Sequence, residues 1–388
     1  MSDTLNGVAL CAGGIEKIVA NELKKLGLSV LDARFGRVSF RADIAGFYRA
    51  LMSLRVADRV MLEAGRFYAP DFDALFEGTR AIAWEYFIPK GMSVRVAKVR
   101  VHHSRLHAET TVQAMTHKAA AERLCDAYHL NRLPDSIQSA ELRVYLEKDE
   151  AALYLDLAGE PLFKRGYRRE GGVAPLRETT AAALLFLSGW KRKFPLYDPF
   201  CGSGTLVIEA ALYAWDAAPG LARQFALSDL ALGDRRTERA LREELFAKID
   251  FTRTIRVYGS DEEADLIRIA RENTRRAYEI ALGKKLDGPD VALAWLPHFH
   301  ALPLSKAVAP CSDAGFIITN PPYGKRLGDR ASSEQTYREM ETLAAQFPRW
   351  RLGVITDHPG FESFFGHRAV SCRELTNGAL QSYFFQFA

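Results

Sequence analysis

Asn320, Pro321, Pro322 and Tyr323 follow an apolar run, Gly315-Phe316-Ile317-Ile318-Thr319, that reads as a buried strand. That order of residue types suits the holding of a planar amine. The Asn320 side-chain carbonyl and the Pro321 main-chain carbonyl are acceptors, and neither proline carries an N–H that would compete for or repel the amine. The Tyr323 ring offers a face on which a flat base can stack. The same four residues would also make a plain Asn-Pro turn after a core strand. A second motif upstream decides between the two.

Phe194-Pro195-Leu196-Tyr197-Asp198 reads as a short strand, Pro199-Phe200-Cys201-Gly202-Ser203-Gly204-Thr205 as a tight loop, and residues 206–214 as a helix. Together they make a nucleotide-binding unit: glycines let a ligand approach the backbone, and the helix start presents free N–H groups. The third glycine that a dinucleotide pyrophosphate requires is missing. Asp198, just before the loop, would repel phosphate and favour a ligand with an ammonium or sulfonium centre, such as S-adenosylmethionine. One unit later, Arg256-Val257-Tyr258-Gly259-Ser260 ends in Asp261 and Glu262. A carboxylate at that strand end can accept both ribose hydroxyls.

These side chains converge only if their strands run parallel, with ligands at the C-terminal ends. The expected fold is therefore α/β, with a Rossmann-like, mostly parallel sheet in the back half. Residues 291–296 and 351–356 supply further strands, and residues 175–187 and 264–282 flanking helices. Two strands, 369–375 and 379–387, flank Asn377-Gly378, a strong hairpin signal. A terminal antiparallel hairpin departs from an all-parallel dehydrogenase sheet.

The front half reads as α+β. Strands are expected at 8–10, 37–40, 93–101, 141–146 and 151–157, and helices at 15–26, 44–54, 72–83 and 109–128. Lys98, Arg100, Arg105 and Lys118 cluster with several histidines and few acids. This is either a phosphate-facing patch or a solvated face. The basic stretch containing Lys164, Arg165 and Arg168 reads as a connection that could touch phosphates. The histidines lack metal-ligand spacing, so no metal is expected.

The chain has 388 residues, formal net charge +4, 48% hydrophobic and 26% charged residues. It is thus expected to be globular and to hold more than one domain. Five scattered cysteines without a C-x-x-C pair point to reduced thiols and a cytoplasmic protein. Neither a signal peptide nor a membrane-spanning run is expected. Cytosine C5 methylation would need a thiolate at the active end of a strand. Cys311 lies at the other end, and Cys201 sits in the loop as packing.

Asp-Pro-Phe-Cys-Gly-Ser-Gly-Thr followed by Asn-Pro-Pro-Tyr-Gly resembles the class I S-adenosylmethionine-dependent methyltransferases of exocyclic amines in nucleic acid. Lys164-Arg165-Gly166-Tyr167-Arg168, Pro175-Leu176-Arg177-Glu178-Thr179 and Gly324-Lys325-Arg326-Leu327-Gly328 extend the likeness to the RNA guanine-N2 methyltransferases with an N-terminal THUMP domain. The bacterial enzymes acting on 23S ribosomal RNA are the nearest subgroup. The resemblance implies a ferredoxin-like unit at 1–50, a THUMP RNA-binding domain at 51–160, a basic linker at 161–175 and the methyltransferase domain at 176–388.

By the same resemblance, Asn320, Pro321, Pro322 and Tyr323 are the catalytic set. The donor site comprises Thr180, Asp198, Pro199, Phe200, Cys201, Gly202, Ser203, Gly204, Thr205, Asp261, Glu262 and Asn320. RNA contacts fall to Lys98, Arg100, Arg105, Lys118, Lys164, Arg165 and Arg168. The family often places an acid or amide near the adenine amine after the third strand. This chain has Pro297-His298-Phe299-His300 there, so either His298 or a main-chain group is expected to take that contact. The partner is RNA, ribosomal first and transfer RNA second. A non-catalytic RNA-binding factor, a DNA adenine or protein glutamine methyltransferase, and a nicotinamide oxidoreductase are the rival readings.

Overall fold

A computed structural model of the chain describes residues 4–135, 138–169, 176–286, 296–322, 329–377 and 380–388. Tyr323, residues 324–328, the loop Gly378 and most of the expected strand 291–296 lie outside those residues, as do residues 170–175 of the expected linker 161–175.

The first half interleaves strands β1 (Leu5–Leu10), β2 (Ser29–Arg34), β3 (Arg37–Ala42), β4 (Arg59–Tyr68), β5 (Ser93–His102), β6 (Ser139–Glu147) and β7 (Glu150–Asp156) with four helices. These are α1 (Glu16–Lys25), α2 (Ile44–Ser53), α3 (Phe72–Ala81) and α4 (Glu109–Tyr128). Asp43 and Asp71 cap α2 and α3 by accepting from Gly46 N and Ala74 N. All seven strands form one sheet, in the order β2-β3-β1-β4-β7-β6-β5. β4 is the joint of this sheet: it pairs with β1 on one side and β7 on the other. It was not legible as a strand, because its sequence lacks an alternating pattern and its register shifts between Glu63 and Gly65. Helix α2 runs through position 50, where the first unit was expected to end.

The second half contains α5 (Glu178–Leu187), β8 (Leu196–Asp198), α6 (Thr205–Ala214), α7 (Arg235–Ala247), β9 (Val257–Asp261), α8 (Ala264–Leu282), β10 (His298–Ala301) and β11 (Gly315–Thr319). There follow α9 (Asp329–Glu339), α10 (Thr342–Gln346), β12 (Trp350–Thr356), α11 (Phe361–Phe365), β13 (Ser371–Asn377) and β14 (Leu380–Phe387). The sheet order is β10-β9-β8-β11-β12-β14-β13. β8 to β12 pair in parallel, and β14 is antiparallel to both β12 and β13. This is the Rossmann-like sheet with a terminal hairpin that the motifs required. Among the described residues no helix is long and apolar enough to cross a membrane.

One apolar core runs through both halves, from Phe47, Tyr48 and Met52 of α2 to Trp215 and Leu227. Gly220 N donates to Met52 O at 2.9 Å, and Leu227 N to Leu157 O at 3.1 Å. The contact at Gly220 leaves no room for a side chain. A Cβ there would lie 2.7 Å from Met52 Cα and 3.0 Å from Leu51 O, both backbone atoms. Gly220→Ala is expected to cost about 1–3 kcal/mol by overpacking. A lowered thermal midpoint, with the two halves loosened to limited proteolysis, is the outcome that checks this.

Candidate active site

Parallel pairing of β11 with β8, through Phe316↔Leu196 and Ile317↔Tyr197, brings the ends of the two motif strands together. Thr319 Oγ1 then donates to Asp198 Oδ1 at 2.6 Å, and both side chains are buried. The two sequence motifs are thus tied by one hydrogen bond. Asn320, the next residue, is set at the C-terminal edge, level with the loop after β8.

That loop is held from several directions. Phe200 N donates to Asp198 Oδ1 at 3.1 Å, and Gly202 N to Asp261 Oδ2 at 2.9 Å. Cys201 N donates to Ser260 O at 2.9 Å, and Asn273 Nδ2 of α8 to Ser203 O at 3.0 Å. Gly204 has φ +86, where an L side chain is strained, and a Cβ on it would lie 3.1 Å from Ala270 Cβ. Glycine is therefore required there by both the turn and the close approach of α8.

A cavity of about 650 Å³ opens at this edge. Its walls include Leu176, residues 198–203, Thr205, Leu206, Asp261 to Glu263, Leu266, Pro303 to Ser305, Asn320 to Pro322, and Ser332, Thr336 and Glu339 of α9. Asp198, Asp261, Glu262, Glu263 and Glu339 line it, and no lysine or arginine is among its described lining residues. Such a wall repels phosphate and attracts a cation. Burial pushes the Asp198 carboxyl up to about 7, against the hydrogen bonds from Thr319 and Phe200 that hold it down, while nearby Asp261 adds to the rise. A positive centre beside it would restore the ionised form.

Asn320 Oδ1 is buried and has no hydrogen-bond partner among the described residues. An unpaired buried acceptor costs about 1–3 kcal/mol. The residue itself lines the cavity.

The residues fit S-adenosylmethionine. Asp198 suits its cationic methionine end, Asp261 and Glu262 its ribose hydroxyls, and Phe200, Leu266, Pro303 and Leu304 a flat apolar base. Asp261 has a second task, since it also accepts from Glu263 N at 3.1 Å. Asp261→Ala is therefore expected to raise the donor's Kd by about tenfold or more. Asp261→Asn keeps one acceptor for the loop and should lose less; calorimetry with S-adenosylhomocysteine separates them.

Most of the expected donor-site residues line the cavity, and Gly204 shapes it from behind. Two of the expected donor-site residues, His298 and Thr180, are not among the cavity's described lining. His298 is the first residue of β10, at the end away from the cavity, and stacks on Tyr258 with ring centroids 5.5 Å apart. Pro303 to Ser305, which follow β10, line the cavity there. Thr180 does not line the cavity, and its neighbour Thr179 donates to Asp58 instead.

Arg165 and Arg168 turn inward, onto other residues of the chain. Arg165 is buried; its guanidinium donates to Leu162 O and Arg55 O and lies 3.6 Å from Glu209. Arg168 donates to Leu176 O and Thr205 Oγ1. Lys164 is exposed and pairs with Glu160. In the front half Arg100, Arg105 and Lys118 are exposed beside acidic partners, and Lys98 is half-buried. The α9 stripe Ser332, Thr336 and Glu339 was missed: that helix is mostly polar, and its only sequence signal is the i, i+4, i+7 spacing of the three.

Comparison with known proteins places this geometry. A family model described as RMKL-like, methyltransferase domain matches residues 165–384, and one described as RlmL ferredoxin-like domain matches residues 6–61. The chain is 34% identical over 384 residues to a Bacillus subtilis (strain 168) protein named, provisionally, RNA methyltransferase YpsC. That match covers 98% of this chain and 95% of the relative. It is 33% identical over 400 residues to Ribosomal RNA large subunit methyltransferase K/L of Syntrophotalea carbinolica, covering 96% of this chain but only 52% of that one. The chain therefore spans about half the length of the K/L relative.

Several solved structures are similar throughout. SMU.472, described as a methyltransferase candidate complexed with SAH, has TM-score 0.85 and 35% identity over 100% of this chain and 98% of its own. A Listeria monocytogenes (str. 4b F2365) protein described, on prediction, as an N6-adenine-specific DNA methylase has TM-score 0.88 and 35% identity over 100% of this chain and 96% of its own.

Proposed function

The chain belongs to the RMKL-like methyltransferase family, and on that premise we propose that it methylates the exocyclic N2 amine of a guanine in RNA, with S-adenosylmethionine as donor. The acceptor proposed first is large-subunit ribosomal RNA, with transfer RNA second. The donor supplies an electrophilic methyl on a sulfonium sulfur.

The observation that carries the reading is Asn320, a lining residue of an acidic cavity whose buried Oδ1 has no hydrogen-bond partner among the described residues. The N2 lone pair of guanine is delocalised into the ring and is a poor nucleophile. Asn320 Oδ1 and the Pro321 carbonyl accept the two amine hydrogens and turn the lone pair into the cavity; positioning does most of the catalysis. An amide is not a base, so the proton leaves to water after transfer. Tyr323 is assigned the stacking role on the target base.

The acidic wall adds a constraint on substrate. RNA phosphates are kept out of the cavity, so the target base must be swung out of its helix to enter alone. Phosphate contacts then fall to the front half, read as a ferredoxin-like unit and a THUMP RNA-binding unit over 51–160. Arg100, Arg105 and Lys118, with Lys98 and Lys164, are the proposed contacts.

Transfer of a tritiated methyl group to ribosomal RNA, transfer RNA and DNA in parallel, followed by nucleoside analysis, tests the reading. N2-methylguanosine in ribosomal RNA is the expected product. N6-methyladenine in DNA, or no transfer to any nucleic acid, overturns it.

A further inference from the structure

We propose that Arg168 provides the counter-charge for the donor's carboxylate, acting through the hydroxyl of Thr205. The methionine end of S-adenosylmethionine carries a carboxylate as well as its cationic centres, yet the cavity is lined by five carboxylates and by no described lysine or arginine. An anion can be held there only by neutral donors or by a positive charge one layer behind the wall. Arg168 occupies that second layer. Its Nη2 donates to Thr205 Oγ1 at 2.7 Å and to Leu176 O at 2.8 Å, and both of those residues line the cavity.

The hydrogen bond has a directional consequence. With a lone pair of Thr205 Oγ1 engaged by a guanidinium, the hydroxyl hydrogen is turned elsewhere and strengthened as a donor. Thr205 is also the first residue of α6, where free backbone N–H groups and the helix dipole favour an anion. Glu178 Oε1 pairs with the guanidinium at 3.3 Å. Arg168 is held in place by its own strap. Tyr167 OH donates to Glu209 Oε1 of the same helix at 3.1 Å, and Arg276 of α8 donates to Tyr167 O at 2.9 Å. The basic motif that read as an RNA contact is, on this geometry, part of the donor site's support.

The proposal rests on the donor assignment and not on which atom is methylated, so it is tested by binding alone. Calorimetry compares S-adenosylhomocysteine with its decarboxylated analogue on the full chain. The wild type should prefer the carboxylated ligand. Arg168→Gln should weaken S-adenosylhomocysteine by about tenfold or more and leave the decarboxylated analogue nearly unchanged. Thr205→Val should reproduce that selective loss, Thr205→Ser should not, and Arg168→Lys should restore part of it. Equal weakening of both ligands in Arg168→Gln and Thr205→Val would mark a merely structural role and overturn the proposal, as would no weakening of either. Absence of binding to the wild-type chain would instead sink the donor assignment on which it stands.

Discussion

Asn320→Ala removes methyl transfer, by a factor of about 10²–10³ or more, while the affinity for S-adenosylhomocysteine stays as it was. The size follows from the role: the amide is asked to align a weak nucleophile, and losing one of two aligned acceptors leaves the amine free to rotate its lone pair back into the ring. The selectivity follows from the structure. Asn320 Oδ1 has no described partner to lose, so truncation should not disturb the loop, and Thr319 keeps its 2.6 Å bond to Asp198. Single-turnover rates together with calorimetry check both halves of the expectation. Transfer at the wild-type rate, or donor affinity lost in step with activity, would remove Asn320 from the reaction. Asn320→Asp, which keeps its acceptors, should retain more activity than the alanine variant if acceptance is the function.

The second large effect is a pH dependence centred on Asp198. Burial raises its carboxyl from the ordinary 3.8 to about 7 in the folded, donor-free chain. The folded state therefore holds this proton more tightly than the unfolded state does. The stability contributed is fully present below pH 3.8 and is lost as pH rises through the window up to about 7. A cationic donor binds the ionised form, so its affinity moves the other way. Below pH 7 each binding event releases a proton, and affinity climbs by up to about tenfold per pH unit before levelling off. Calorimetry in two buffers of different ionisation heat measures the released proton directly. Asp198→Asn should flatten the profile and weaken binding throughout. A wild-type affinity that is level from pH 5.5 to 8 would show that the carboxyl is already ionised in the free chain, and the electrostatic account of the cavity would fail.

Both expectations depend on a pairing that no local pattern contains. Asp198 and Thr319 are 121 residues apart, and only the β8–β11 register puts one hydroxyl on one carboxylate. The motif residues themselves were legible, since strand ends, paired glycines and an Asn-Pro-Pro turn each carry a local physical reason. The sheet's parallel core and closing hairpin were legible too, from short apolar runs and an Asn-Gly turn. Misplaced residues share a different cause. Arg165 and Arg168 read as solvent-facing because they are basic and flanked by glycine, but long guanidinium side chains can reach inward, where backbone carbonyls and Glu209 receive them. His298 was misplaced because a four-residue strand leaves its boundary undetermined by periodicity.

The residues of the proposed chemistry were thus legible in the sequence, because a carboxylate before a tight loop and an amide at a strand end are set by residue type and short spacing. Tertiary structure alone decided which charges face the cavity and which support it from behind. It also decided that β4 merges the front units into one sheet and that one core joins that sheet to the catalytic half. Those outcomes depend on burial and on contacts between residues far apart in the chain, and burial of a charged side chain is determined by the partners that fold around it.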